Sequence, residues 1–140
     1  MDKTFVFHFK GFSVLDGDTV VLEQLDLGMG IGKVTPTSVR MSGIDAPEVH
    51  TTNLREKKCG MKAKAAVEAW FKDNPQAVLF SQTWDGTSEK FGRVLGDFGT
   101  VASGPVLTDF LLSKKLVRPY QGEKKTPWSD AEMTAIETVA

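Results

Sequence analysis

The stretch that decides the fold is Arg55–Lys72, REKKCGMKAKAAVEAWFK, where the chain first changes its hydrophobic period. Ala63, Val67, Trp70 and Phe71 fall at i, i+4, i+7 and i+8, the stripe of an amphipathic helix with lysines on its other face. Asp73-Asn74-Pro75 stops that helix. Everything before it reads as strand. Thr4–Phe9 and Gly11–Leu15 are rich in Phe and Val, Thr19–Leu25 is β-branched and apolar, and a further strand runs from Thr37 to Ile44. The glycine-rich LGMGIGK, Leu27–Lys33, reads as a hairpin connection. Its GxGxG spacing leads into a strand, whereas a dinucleotide fingerprint needs a helix whose N-terminus faces the pyrophosphate.

Beyond the helix, Ala77–Gln82 and Arg93–Phe98 read as strands joined by TWDGTSEKFG, whose Asp85-Gly86 is a strong turn signal. A second helix is expected over Pro105–Lys115, with Pro105 in its first turn and Val106, Leu107, Phe110 and Leu111 inward. A third starts at Ser129, where Ser129 and Glu132 form a capping box and Met133 and Ile136 give an apolar edge. Five strands with a helix between the third and fourth predict an α+β, mainly β fold. The architecture that fits is a partly open, five-stranded Greek-key barrel of the OB-fold type with about three helices. A length of 140 residues suits a single domain, 1–140.

Composition narrows the class. Hydrophobic content of 41% and charged content of 25% are those of an ordinary globule. The net charge of −1 conceals an uneven distribution: Val49–Lys72 carries six Lys/Arg against two Glu. A cluster of this kind serves equally as a solvated helix face or as a local patch for a polyanion. Cys59 is the only cysteine, so there is no disulfide framework, and a reducing compartment is compatible. MDKTFVFHFKGF at the N-terminus reads as a first strand, not a signal peptide, and no run has the length of a membrane span. A cytoplasmic location is therefore expected, with secretion of a processed precursor as the alternative.

The residues at the strand ends carry the chemistry. Asp18 closes the DGDT turn, Arg40 sits on the third strand, Asp45 and Glu48 follow where that strand ends, and Arg93 stands in KFGR. In a regular strand Arg40, Ser42 and Ile44 would share one face, with Met41, Gly43 and Asp45 on the other. Two aspartates, a glutamate and two arginines suit metal-assisted attack on a phosphodiester. Carboxylates with a backbone carbonyl and waters can hold calcium. A further carboxylate can orient or deprotonate water, and guanidinium forks can grip the phosphate. Each piece also has an ordinary structural use, since Asp-Gly pairs form turns and Arg–Asp pairs hold loops. Spacing leaves open whether they converge.

DGDT at Asp16–Thr19, VRMSGIDAPE at Val39–Glu48, the helix opening EKKCGMKAKA, and EKFGR at Glu89–Arg93 resemble, in order and spacing, the staphylococcal nuclease (thermonuclease) family. The resemblance covers roughly Gly11–Tyr120 and implies an OB-fold barrel with calcium-dependent phosphodiesterase activity on DNA and RNA, leaving 3′-phosphate ends. It implies Asp18 and Asp45 as carboxylate ligands of Ca2+, with the carbonyl of Ala46 as a third. Glu48 matches the residue that abstracts a proton from water or positions it, and Arg40 and Arg93 match the phosphate-gripping arginines. Lys90, Phe91 and Tyr120 are the substrate-binding candidates, and a monomer is the family default. Phe91 stands where the family's type member has Tyr, which removes a hydroxyl. The near-neutral charge implies weaker electrostatic capture of nucleic acid. The alternative is a non-catalytic OB-fold module that binds single-stranded nucleic acid or a protein partner, for which a charged groove and stacking aromatics would suffice. His50 and His8 read as an exposed loop residue and a structural strand residue, Trp70 as core, and Trp84 and Trp128 as surface or docking aromatics.

Overall fold

The computed structural model describes residues 4–26, 33–34, 36–81 and 94–139. Strands β1 (Phe5–Asp16), β2 (Thr19–Asp26), β3 (Lys33–Val34), β4 (Thr37–Met41) and β5 (Ile44–Asp45) precede helix α1 (Leu54–Asp73). After it come β6 (Val78–Ser81), β7 (Val94–Thr100), β8 (Gly104–Pro105), α2 (Leu107–Ser113), β9 (Arg118–Pro119) and α3 (Asp130–Glu137). β1 pairs antiparallel with both β2 and β6, β6 with β7, and β2 with β4; β4 and β7 run parallel. The ring β1-β6-β7-β4-β2-β1 is a closed five-stranded mixed barrel of the OB-fold type. A parallel pair needs a crossover, and the chain between β4 and β7 supplies it with α1 and β6.

The barrel is filled from its own strands and plugged by α1. Val20, Leu22, Leu25, Val39 and Phe98 are fully buried, and Phe98 meets the rings of Phe9 and Phe71 edge-on at centroid distances of 5.7 and 5.0 Å. The predicted stripe Ala63, Val67, Trp70 and Phe71 is buried, because 3.6-residue periodicity puts those positions on one face. Cys59 lies on the same face. Its thiol donates weakly to the Met133 carbonyl, and burial pushes its pKa up, so it is held as an unreactive thiol. No helix among the described residues is long and apolar enough to cross a membrane.

Three local expectations are corrected. The two N-terminal strand segments are one twelve-residue strand, β1, with a register shift between Val14 and Asp16 where it meets β2. The expected Thr37–Ile44 strand breaks at Ser42-Gly43, where Gly43 has φ +83°, so the alternation predicted across Arg40–Asp45 does not hold. Pro105 belongs to β8, not to α2. The Gly99–Pro105 and Thr100–Gly104 pairings and the Val106 N–H bond to the Phe98 carbonyl hold this segment against β7, and the helix begins at Leu107. Leu107, Thr108 and Leu111 are then the buried face, with Val106 and Phe110 half-buried. Asp97 on β7 caps α2, accepting from the Thr108 N–H at 3.0 Å and its hydroxyl at 2.8 Å. The third helix has the expected capping box and buries Met133 and Ile136. The glycine-rich connection over 27–32, Trp84 and the Asp85-Gly86 turn lie outside the described residues.

Candidate functional site

The turn between β1 and β2 aims both of its acids at the chain that leaves β5. Asp18 Oδ2 accepts the Ala46 N–H at 2.7 Å, and Asp16 Oδ1 accepts the Val49 N–H at 2.9 Å. The Met41 N–H donates to the Asp18 carbonyl at 2.8 Å, which ties the end of β4 to the same turn. DGDT and IDAPE, far apart in sequence, are thus one substructure. Asp16 was not among the expected site residues. Its role is structural, since it satisfies a backbone donor that the Pro47 bend leaves outside any ladder.

Arg40 is the last residue but one of β4, opposite Thr19 on β2 and Leu95 on β7. Its Nη2 is 3.5 Å from Asp18 Oδ2 and 3.7 Å from Asp45 Oδ1, while Nη1 donates to the Met41 carbonyl at 3.0 Å. All three side chains are buried, with residue exposures of 5% for Arg40, 5% for Asp18 and 3% for Asp45. Nη2 has no hydrogen-bond partner within the described residues, although two carboxylates flank it. Burial pushes the Asp18 carboxyl above its ordinary value, against the opposing pull of Arg40, the Ala46 N–H and the Thr19 hydroxyl. The local cations and donors therefore do not fully offset the cost of holding that charge away from water.

The short β5–β9 ribbon supplies the other wall. Asp45 is the direct cross-strand partner of Arg118, and the Tyr120 N–H donates to the Gly43 carbonyl at 2.9 Å. Arg118 donates to Asp45 Oδ2 from Nε at 3.0 Å and from Nη2 at 2.9 Å. Lys125 Nζ lies 3.4 Å from Asp45 Oδ1. The Tyr120 ring has Arg40 on it at 5.8 Å and Lys125 at 5.5 Å, both cation–π distances, so this aromatic borders the buried cluster. Arg118 and Lys125 were not among the expected site residues; the β9–β5 pairing that brings Arg118 in is non-local. Trp128, read as surface or docking, lies under the Arg118 guanidinium at 4.1 Å.

Glu48 leaves this cluster. Ala46 and Pro47 are buried, whereas Glu48 is exposed, and its N–H donates to Glu56 Oε2 at 3.1 Å. The bend is held from below by α1. A Cβ on Gly60 would come within 2.7 Å of the Pro47 carbonyl oxygen and 2.9 Å of Glu48 backbone atoms, so the helix seats on this backbone only because residue 60 has no side chain. Asn53 caps α1, accepting the Glu56 N–H at 3.0 Å. His50 is exposed beside the bend and His8 is exposed on β1. Lys90, Phe91 and Arg93 lie outside the described residues.

Among the described residues no three His, Cys, Asp or Glu side chains are placed to hold a metal ion. The donors that do converge are Asp18 and Asp45, on either side of one guanidinium nitrogen. A pair of carboxylates whose set is completed by carbonyl oxygen and water fits calcium in kind, whereas the absence of a His or Cys partner does not suit zinc. Arg118 and Lys125 already share Asp45, so any cation bound here would compete with them for that carboxylate. No protein-family model matches this chain, and no curated protein matches it significantly.

Proposed function

We propose that this protein is a calcium-dependent nuclease that hydrolyses phosphodiester bonds of DNA or RNA with little preference for sequence or sugar. The observation that carries the reading is the buried Arg40 Nη2, left without a hydrogen-bond partner among the described residues beside two converging carboxylates. A guanidinium held this way is prepared for an anionic oxygen, and carboxylates alone would repel that anion. Supporting it are the barrel, the joining of DGDT to IDAPE, and the resemblance of those motifs to the staphylococcal nuclease family.

In this reading Asp18 and Asp45 hold calcium, with the Ala46 carbonyl as a further ligand. The bound ion supplies Lewis-acid polarisation of the phosphate and a more acidic water. Arg40, fixed by its bond to the Met41 carbonyl, donates to a non-bridging phosphate oxygen and stabilises the charge that builds there. Arg93 is the second donor. Glu48, exposed on the Ala46–Val49 bend that Asp18 and Asp16 hold by hydrogen bonds, accepts a hydrogen bond from the attacking water and either orients it or takes its proton. The water oxygen bonds to phosphorus as the bond to the 5′ oxygen breaks; that oxygen leaves with the bonding pair and takes a proton from solvent, and the phosphate remains on the 3′ side. Tyr120, already carrying two cations on its ring, presents a face for a base or sugar, and Lys90 and Phe91 are further substrate contacts.

Plasmid and single-stranded DNA digestions with calcium, with EGTA, and with Glu48→Gln test this. Calcium-dependent cleavage is expected, reduced at least about a hundredfold by the substitution. Nucleic-acid binding that needs no calcium and leads to no cleavage would instead support a non-catalytic OB-fold module.

A further inference from the structure

The two oxygens of Asp45 are treated differently by the protein. Oδ2 takes two hydrogen bonds from Arg118, while Oδ1 faces Arg40 Nη2 at 3.7 Å and Lys125 Nζ at 3.4 Å. Arg118 is itself held by further partners. Its Nη2 also donates to the Thr126 carbonyl at 2.6 Å, and Nη1 donates to both carboxylate oxygens of Glu132, at 3.0 and 3.2 Å. The two Glu132 oxygens share one Nη1 hydrogen, so four of the five N–H groups of the guanidinium have an acceptor. The Trp128 ring closes one face at 4.1 Å. The fork cannot turn without breaking several contacts, so neither can the carboxylate it grips.

Glu132 is fixed in its turn. It is the third residue of α3 and accepts the Ser129 N–H at 2.9 Å in the capping box. α3 is tied to α1 by Arg55, which donates to Asp130 and Glu137, and by Lys62, which donates to carbonyls at the helix end. The chain Asp45–Arg118–Glu132 alternates acid, base, acid. An arginine on Asp45 alone would repel an incoming cation, and Glu132 offsets that charge.

We infer that Arg118 is a positioning residue: it saturates Oδ2 of Asp45, leaving Oδ1 as the single oxygen this carboxylate offers to a ligand, and Glu132 balances the charge of the clamp. The inference rests on reading Asp45 as a cation ligand. Lys125, whose side chain is half exposed and which touches only Oδ1, occupies the open side.

Terbium(III), a luminescent stand-in for calcium, tests this on the full chain. Luminescence lifetimes in H2O and D2O count the waters on the bound ion. In Arg118→Met both oxygens of Asp45 become available, the carboxylate turns bidentate, and the ion loses about one water, which lengthens the lifetime in H2O. Arg118→Lys, which keeps the charge but lacks the fork, serves if the Met variant does not fold. Glu132→Gln retains the capping box but leaves the Arg118 charge unbalanced, and terbium affinity falls several-fold. Arg55→Ala, which loosens α3 without touching Asp45 or Arg118, changes the water count not at all. An unchanged water count in the Arg118 variant, or an equal change in Arg55→Ala, overturns the inference. Unchanged affinity in Glu132→Gln removes Glu132 from it. If the unsubstituted protein binds no terbium and no calcium, the metal reading itself falls and this inference falls with it; binding in which the variants match the parent overturns this inference alone.

Discussion

Asp18, Arg40 and Asp45 occupy a buried space in which mutual attraction works against the cost of desolvation. Pairs of this kind contribute little net stability when complete and cost heavily when one member is removed. Arg40→Ala would leave two carboxylates facing each other away from water, and a loss of about 3–5 kcal/mol is expected in urea denaturation. Saturating calcium should recover part of that loss, because a cation between the carboxylates replaces the missing charge. A loss below about 1 kcal/mol, the range of an exposed pair, would mean the cluster is more hydrated than its burial indicates. At this scale the residue types were readable from sequence and the partners only in part. Asp18, Arg40 and Asp45 stand in motifs whose chemistry is evident. Arg118 does not, because its partner Asp45 is reached through a two-residue ribbon, β5–β9, that no local periodicity announces. The face assignment across Arg40–Asp45 failed for a related reason: one glycine in the left-handed region resets which way every later side chain points.

Elements seat the site, and α1 shows how. Gly60 costs the helix about 1 kcal/mol of propensity relative to Ala. Yet a methyl group there would meet backbone at 2.7 Å, which a flexible side chain could avoid and a carbonyl cannot. Overpacking of this sort costs about 1–3 kcal/mol, so Gly60→Ala should destabilise the protein in denaturant titration despite its better propensity, and shift Glu48. A stabilised Gly60→Ala protein would contradict the close seating. α3 depends on charge instead. Hydrogen bonds from Arg55 hold Glu137 below the ordinary value of 4.5. Burial pushes Glu132 up, but hydrogen bonds from Ser129 and Arg118 outweigh it and hold Glu132 below 4.5 as well. Lowered carboxylates contribute stability that is complete above 4.5 and lost as pH falls through their folded values. Asp97, the cap of α2, is raised above 3.8 by burial, so its contribution is complete below 3.8 and lost as pH rises through its folded value. Acid should therefore reduce the hydrogen-exchange protection of α3 amides before that of α2. Equal loss in both helices would contradict this. Helices α1 and α3 were legible because period and capping are local; the start of α2 was not, because pairing with β7 takes Gly104–Pro105 from it.

At the scale of the whole molecule, one barrel brings together strands whose acids are distant in sequence. Closure between β1 and β2 on one side and β4 and β7 on the other fixes the DGDT turn beside the end of β4. The order of strands and helices was foreshadowed by the change of period at Arg55. The closure was not, since it is a property of pairing across the sheet. Phe98, fully buried where the Phe9 and Phe71 rings meet, holds that arrangement from inside. Phe98→Ala should cost about 3–5 kcal/mol in thermal or urea unfolding, a large part of the roughly 5–15 kcal/mol typical of a domain. The proposed mechanism depends on Asp18 and Asp45 holding calcium between them. Calorimetric titration of calcium into the unsubstituted protein and into Asp18→Asn, which keeps an acceptor for the Ala46 N–H but not the charge, decides whether they do. The prediction is one calcium site whose affinity falls at least about tenfold in Asp18→Asn; equal affinity in the two proteins, or no binding in either, would contradict it.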